Sequence, residues 1–172
     1  IGKQKSFWGN QDAGMIRALN ADINLNNLIL TKWQTNINIG MSFVTKQEVD
    51  NNPLYRLPEN VGAWNSRINM SGQKISLNID YAYKINDPSS DNGYIYKNGN
   101  ALIIESNYSV KGLGLVMGVK RIDNMSFRSE RNAILQDLNI NYITPLTKQQ
   151  SYSLATIYPY ISQPNGEMGT QL

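Results

Sequence analysis

Six charged residues stand where charge is otherwise scarce: Asp22, Arg67, Asp80, Glu105, Lys120 and Asp137. Each falls in the polar phase of a segment that alternates apolar and polar residues. Such a set can form an ion-pair network inside a wall, or line a selective water-filled path. Arg67 and Asp80 sit at matching depth on neighbouring segments, which predicts a pair between them. Asp87 and Asp91 make a second acidic pair, within Asn86-Asp87-Pro88-Ser89-Ser90-Asp91-Asn92-Gly93. That spacing does not fit an EF-hand loop, and Asx and Gly turn chemistry explains it. The chain has no His and no Cys. It therefore offers no imidazole base, no thiolate ligand and no disulfide framework. No enzyme activity, metal site or cofactor is expected. Sixteen Lys and Arg against 13 Asp and Glu give a net charge of +3. The basic residues are scattered, so no nucleic-acid partner is expected.

The segments carrying these charges read as strands. Eight of them have a period of two, near residues 14–26, 32–44, 63–70, 74–84, 100–110, 113–121, 134–144 and 151–160. In the second, Trp33, Thr35, Ile37, Ile39, Met41 and Phe43 share one face, and Gln34, Asn36, Asn38, Gly40 and Ser42 share the other. The fourth sets Ile75, Leu77, Ile79, Tyr81 and Tyr83 against Ser76, Asn78 and Asp80. The seventh sets Leu138, Ile140 and Tyr142 against Asp137, Asn139 and Asn141. Connections alternate in length. Short turns are expected near 27–31, 71–73, 111–112 and 145–150, and long loops near 45–62, 85–99, 122–133 and 161–169. This puts all short turns at one end and all long loops at the other, as in bacterial outer-membrane barrels. The expected fold is all-β, an antiparallel up-and-down wall of a transmembrane β-barrel with about eight strands, in one partial domain spanning residues 1–172.

Alternation alone does not say which face meets lipid, and a soluble ligand-binding barrel would bury the apolar one. Three features favour the bilayer. The apolar face is almost free of charge at mid-strand, where Lys or Arg costs roughly 2–4 kcal/mol. Aromatics on that face gather at strand ends: Trp33, Tyr108, Tyr142 and Tyr152 toward the short turns, Phe43, Trp64, Tyr83 and Tyr158 toward the long loops. These are the expected girdles. The interval from Trp33 to Phe43 covers roughly 23–25 Å for a tilted strand, the height of an outward apolar band. Third, the polar face is Asn, Ser and Gly with few Lys or Glu, whereas a solvated exterior carries more charge. Arg17 and Arg121 fall in the apolar phase near the long-loop end, where a cation can snorkel or a bulge can re-phase the strand. The charged stretch 122–133 is open to two readings, an exposed loop or one folded over the mouth.

Several stretches carry a family resemblance. They are Asn86-Asp87-Pro88, Asp91-Asn92-Gly93-Tyr94-Ile95-Tyr96-Lys97, Lys111-Gly112-Leu113-Gly114 and Lys120-Arg121-Ile122-Asp123-Asn124-Met125, with Phe127-Arg128-Ser129-Glu130-Arg131, Tyr158-Pro159-Tyr160 and Gln163-Pro164-Asn165-Gly166-Glu167-Met168-Gly169. Together they resemble an uncharacterised, porin-like family of Bacteroidota outer-membrane barrels. The resemblance implies an outer-membrane location and a longer parent barrel, and transfers no catalytic residue. The chain begins at Ile1 and a ninth strand is expected from about Gly169, so an internal fragment with an open wall is expected. Bare strand edges cannot be satisfied in lipid, so further strands are expected to cover them. The functions that follow are porin-like passage of small solutes, or a structural or accessory role in a surface or secretion complex. The partners would be outer-membrane lipid and other subunits of such a complex.

Overall fold

A computed structural model describes residues 2–3, 14–28, 34–50, 52–133, 137–141 and 163–172. It is all-β: a single antiparallel sheet in which β1 to β8 lie side by side in sequence order. The strands are β1 (Gly2–Lys3), β2 (Met15–Asn24), β3 (Asn36–Gln47), β4 (Asn60–Ser71), β5 (Ile75–Lys84), β6 (Gly99–Val110), β7 (Leu113–Asp123) and β8 (Gly166–Gln171). The sheet is open among the described residues, with β1 and β8 at its edges. Strands β2 to β7 correspond to the first six segments of the sequence pattern.

Register turns each strand's alternation into rows that cross the sheet. Ile23, Ile39, Ile68, Ile79 and Ile104 are successive partners from β2 to β6, and Val119 extends the row onto β7. One residue along, Asn24, Asn38, Asn69, Asn78 and Glu105 form the matching row on the other face. Branched Ile side chains pack well against each other on a pleated surface. These ladders run without a bulge, so Arg17 and Arg121 keep their apolar-face phase.

The connections differ from expectation in places. Lys111-Gly112 close the β6–β7 hairpin in two residues, with Gly112 at φ 85°. One helical turn, α1 (Leu25–Leu28), ends β2 at Asn24 and overlaps the start of the short turn expected at 27–31. Asn26 holds it in place: its amide donates to Thr35 O at 2.7 Å and its Oδ1 accepts from Ile37 N at 2.8 Å. Strands β3 and β4 run beyond their expected ends, so the loop between them shrinks to residues 48–59. Within 161–169, expected as loop, β8 begins at Gly166 and pairs with β7.

The seventh expected strand is corrected where it is described. Asp137 and Leu138 form a turn, Leu138 takes φ 55°, and Asn139 forms an isolated bridge to Arg128 outside the named strands. Leu138 is buried and Ile140 lines a cavity on the polar side, so neither faces outward. The rest of that segment, the eighth segment, Leu154 and the turn at 145–150 lie outside the described residues.

Burial is inverted relative to a soluble sheet. Leu19 is 71% exposed and Met41 60%, and Phe43, Ile39, Ile68, Ile75, Leu115 and Met117 are also exposed on the apolar face. Ile37, on the apolar face at the start of β3, is buried, but most buried residues lie over the polar face at the long-loop end. Val61, Ile122, Met125, Phe127, Ala133 and Leu138 are buried there beside Lys46, Lys84, Asp87, Lys120 and Arg131.

Gly112→Ala should destabilise the sheet by about 1 kcal/mol, because a Cβ is strained at positive φ. Gly114→Ala, with nothing within 4 Å of an added Cβ and no positive φ, should be nearly neutral. Urea unfolding of the two variants, monitored by tryptophan fluorescence, checks the contrast.

Candidate functional site

The polar face has two zones. Toward the long loops it is covered by a cap built from residues 48–50, 52–59, 85–98, 124–133 and 137–141. Below the cap it opens into a cavity of about 580 Å³.

The cap forms because two lysines of the wall, Lys46 and Lys84, point into it. Lys46 and Lys84 lie in the polar phase at the ends of β3 and β5, and both are buried. Lys46 Nζ sits 2.9 Å from Asp87 Oδ1 and 3.6 Å from Glu48 Oε2, with the Phe127 ring centroid 5.7 Å away. Lys84, 0% exposed, donates to Ser126 O at 2.5 Å. Lys120 pairs with Glu167 of β8 at 2.8 Å. The loop answers with arginines. Arg131, 2% exposed, places Nε 3.5 Å from Glu48 Oε2 and 4.0 Å from Asp87 Oδ1, and its guanidinium donates to Pro58 O. Arg128 lies 3.5 Å from Asp91 and donates to Asp137 O at 3.0 Å. Buried charges of both signs therefore alternate through the cap, as desolvation requires.

Asx chemistry shapes the 86–93 stretch. Asn92 Oδ1 accepts from Ser89 N at 3.0 Å, and its amide donates to Asp87 O at 3.1 Å and Asn124 Oδ1 at 2.9 Å. Gly93, at φ 66°, ends the 3-10 turn Ser90–Asn92. Tyr94 stacks on Tyr55 of the neighbouring loop, with centroids 4.9 Å apart. Asp87 and Asp91 thus serve the cap's cations.

Of the six charges singled out from sequence, Asp22, Arg67, Asp80 and Lys120 lie in one cross-strand row, and Glu105 in the next. Asp137 sits in the cap's turn rather than on a wall strand. The expected Arg67–Asp80 pair is corrected: the two are register partners, yet Arg67 turns the other way. Its Nη2 lies 2.8 Å from Asp22 Oδ1 and 2.6 Å from Asn20 Oδ1, and its Nη1 lies 2.7 Å from Ser42 Oγ. Gly40, between Asp22 and Arg67 in the row, is the reason. A Cβ there would collide with Asp22 Oδ1 and sit 2.8 Å from Arg67 Nε. The sequence signal was a glycine in the polar phase of β3. Of the girdle residues, Phe43, Trp64, Tyr83 and Tyr108 lie on the apolar face, with Trp64 and Tyr83 rings 4.5 Å apart. Trp33, Tyr142, Tyr152 and Tyr158 lie outside the described residues.

Residues 1–172 match DUF6029, a family of unknown function. The chain belongs to that family. No curated protein and no solved structure matches it. The family's chemistry must therefore be argued from this wall and its cap.

Burial holds the Glu48 carboxyl above its usual value of 4.5, against the pull of Lys46, the Arg131 amide and the Arg131 guanidinium. An acid whose folded value is raised binds its proton more tightly when folded. Its contribution is present below pH 4.5 and is lost as pH rises through the raised value. Glu48→Gln should therefore match the native protein in acid and become the more stable of the two toward neutral pH, as read from thermal unfolding across that range. Asp87→Ala removes the carboxylate nearest Lys46 and should cost about 3–5 kcal/mol, the penalty for stranding a buried charge. Hydrogen exchange of residues 124–133 should rise with it.

Proposed function

We propose that this chain is a stretch of porin-like outer-membrane β-barrel wall, whose polar face lines a path for small solutes. One observation carries the reading: the apolar face of the sheet is bare while the polar face carries the packed cap. In a soluble ligand-binding barrel the apolar residues fill the interior and polar ones meet water. Here Ile39 and Ile68 of the row and the flanking Leu19, Met41 and Phe43 are exposed, which suits lipid as the neighbour. The loop motifs that resemble Bacteroidota outer-membrane barrels support the location. Arg17 and Arg121, exposed on the apolar face, lie toward the long-loop end, where cations reach lipid headgroups. Under this reading the cap narrows the path, and the Asn and Ser rows below it hydrate the passing solute.

A second reading has its own support. The cap ties three loops together through buried ion pairs, as would suit a closed barrel serving as a structural or accessory subunit of a surface or secretion complex.

Two measurements decide between these. Ile79→Lys should cost about 2–4 kcal/mol of folding in bilayers, while Asn78→Lys on the opposite face should not. Heat-modifiability of the full-length protein refolded into lipid reports both. Equal tolerance at the two sites would count against a lipid-facing Ile row. Single-channel recording of full-length protein in planar bilayers then tests passage, and a folded but silent barrel favours the accessory role.

A further inference from the structure

Asp80 and Glu105 both line the cavity below the cap, and neither makes an ion pair among the described residues. Their one cationic neighbour in the cavity wall is Arg67, and Arg67 is already committed to Asp22 across Gly40. Lys120, next along the row, is held by Glu167. Arg67 and Lys120 are thus already paired, and two carboxylates of the cavity lining remain without a cationic partner among the described residues. Opposite charge is met elsewhere; here it is left for a solute to supply. Apolar surface from Ala101, Ile103 and Ile122 adjoins the two acids.

We infer that the cavity selects cations, and best those joining an ammonium group to a small apolar body. This deepens the passage reading and rests on it. Gly40 is the positioning residue. Without a Cβ it lets Arg67 lie across β3 to Asp22, so Arg67 does not neutralise its register partner Asp80. A methyl at position 40 would break the Asp22–Arg67 contact and free the guanidinium for Asp80, moving the unpaired carboxylate from the cavity lining to Asp22.

The test is the reversal potential of the full-length protein in planar bilayers under a KCl gradient, followed by the same gradient in tetramethylammonium chloride. The native protein should favour cation over anion in both salts. Asp80→Asn with Glu105→Gln should lower the cation-to-anion permeability ratio by about threefold or more, as expected when uncompensated charge leaves a narrow path. Gly40→Ala should shift it the same way by a smaller amount, with Asp80 and Glu105 intact. Open channels that prefer anions, or whose selectivity ignores all three substitutions, overturn the inference and leave the passage reading standing. A correctly folded barrel that passes no current overturns both.

Discussion

A charge removed from water must meet another charge or a hydrogen bond, and that requirement organises the long-loop end of this sheet. Lys46 and Lys84 point off the polar face at the ends of β3 and β5. Once buried, Lys46 needs opposite charge and Lys84 an acceptor; Glu48 and Asp87 supply the charge and Ser126 O accepts from Lys84. Those groups come from three loops, so satisfying the lysines draws the loops together. Arg131 then joins Glu48 to Asp87 and fastens the 124–133 stretch down. The buried apolar side chains of the cap, Phe127, Met125 and Leu138 among them, fill space around this charge frame.

The two faces of the sheet set its environment in opposite ways. The Ile row offers only hydrocarbon, which is stable against lipid or packed protein and costly against water. The Asn row offers amides that hydrogen-bond each other or a hydrated path, as in the 2.7 Å contact from Asn24 Nδ2 to Asn38 Oδ1. Because the side-chain period is two, these rows are separated by a single residue of register. The wall is therefore specified by register as much as by composition.

Much of this was legible in the chain. Periodicity identified the six strands β2 to β7, their order and their faces, because alternation is a local signal that long ladders reinforce. The position of Asp22, Arg67, Asp80, Glu105 and Lys120 on one face followed directly. The partner of Arg67 did not, because pairing by depth ignores what an absent Cβ permits, and Gly40 reads as an ordinary polar-phase residue. Leu138 and Ile140 show the limit of periodicity. Five alternating residues fit a strand, yet Leu138 turns into the left-handed region and buries among the cap's side chains. The cap itself was hidden because its contacts join loops far apart in sequence. An arginine-rich loop gives no local sign of whether water or Glu48 will meet it.

The sequential strand order carries a consequence for assembly. Each of β2 to β7 pairs with its chain neighbours, so the wall can grow hairpin by hairpin, every new strand templated on the edge of the last. The cap cannot grow that way. Lys84 reaches Ser126 across 42 residues and Arg131 reaches Glu48 across 83. Both partners exist only once β7 has been laid down, and closing so long a span is entropically slow. The wall's pairings are therefore local and the cap's are not, so the cap's closure depends on a wall already carried as far as β7.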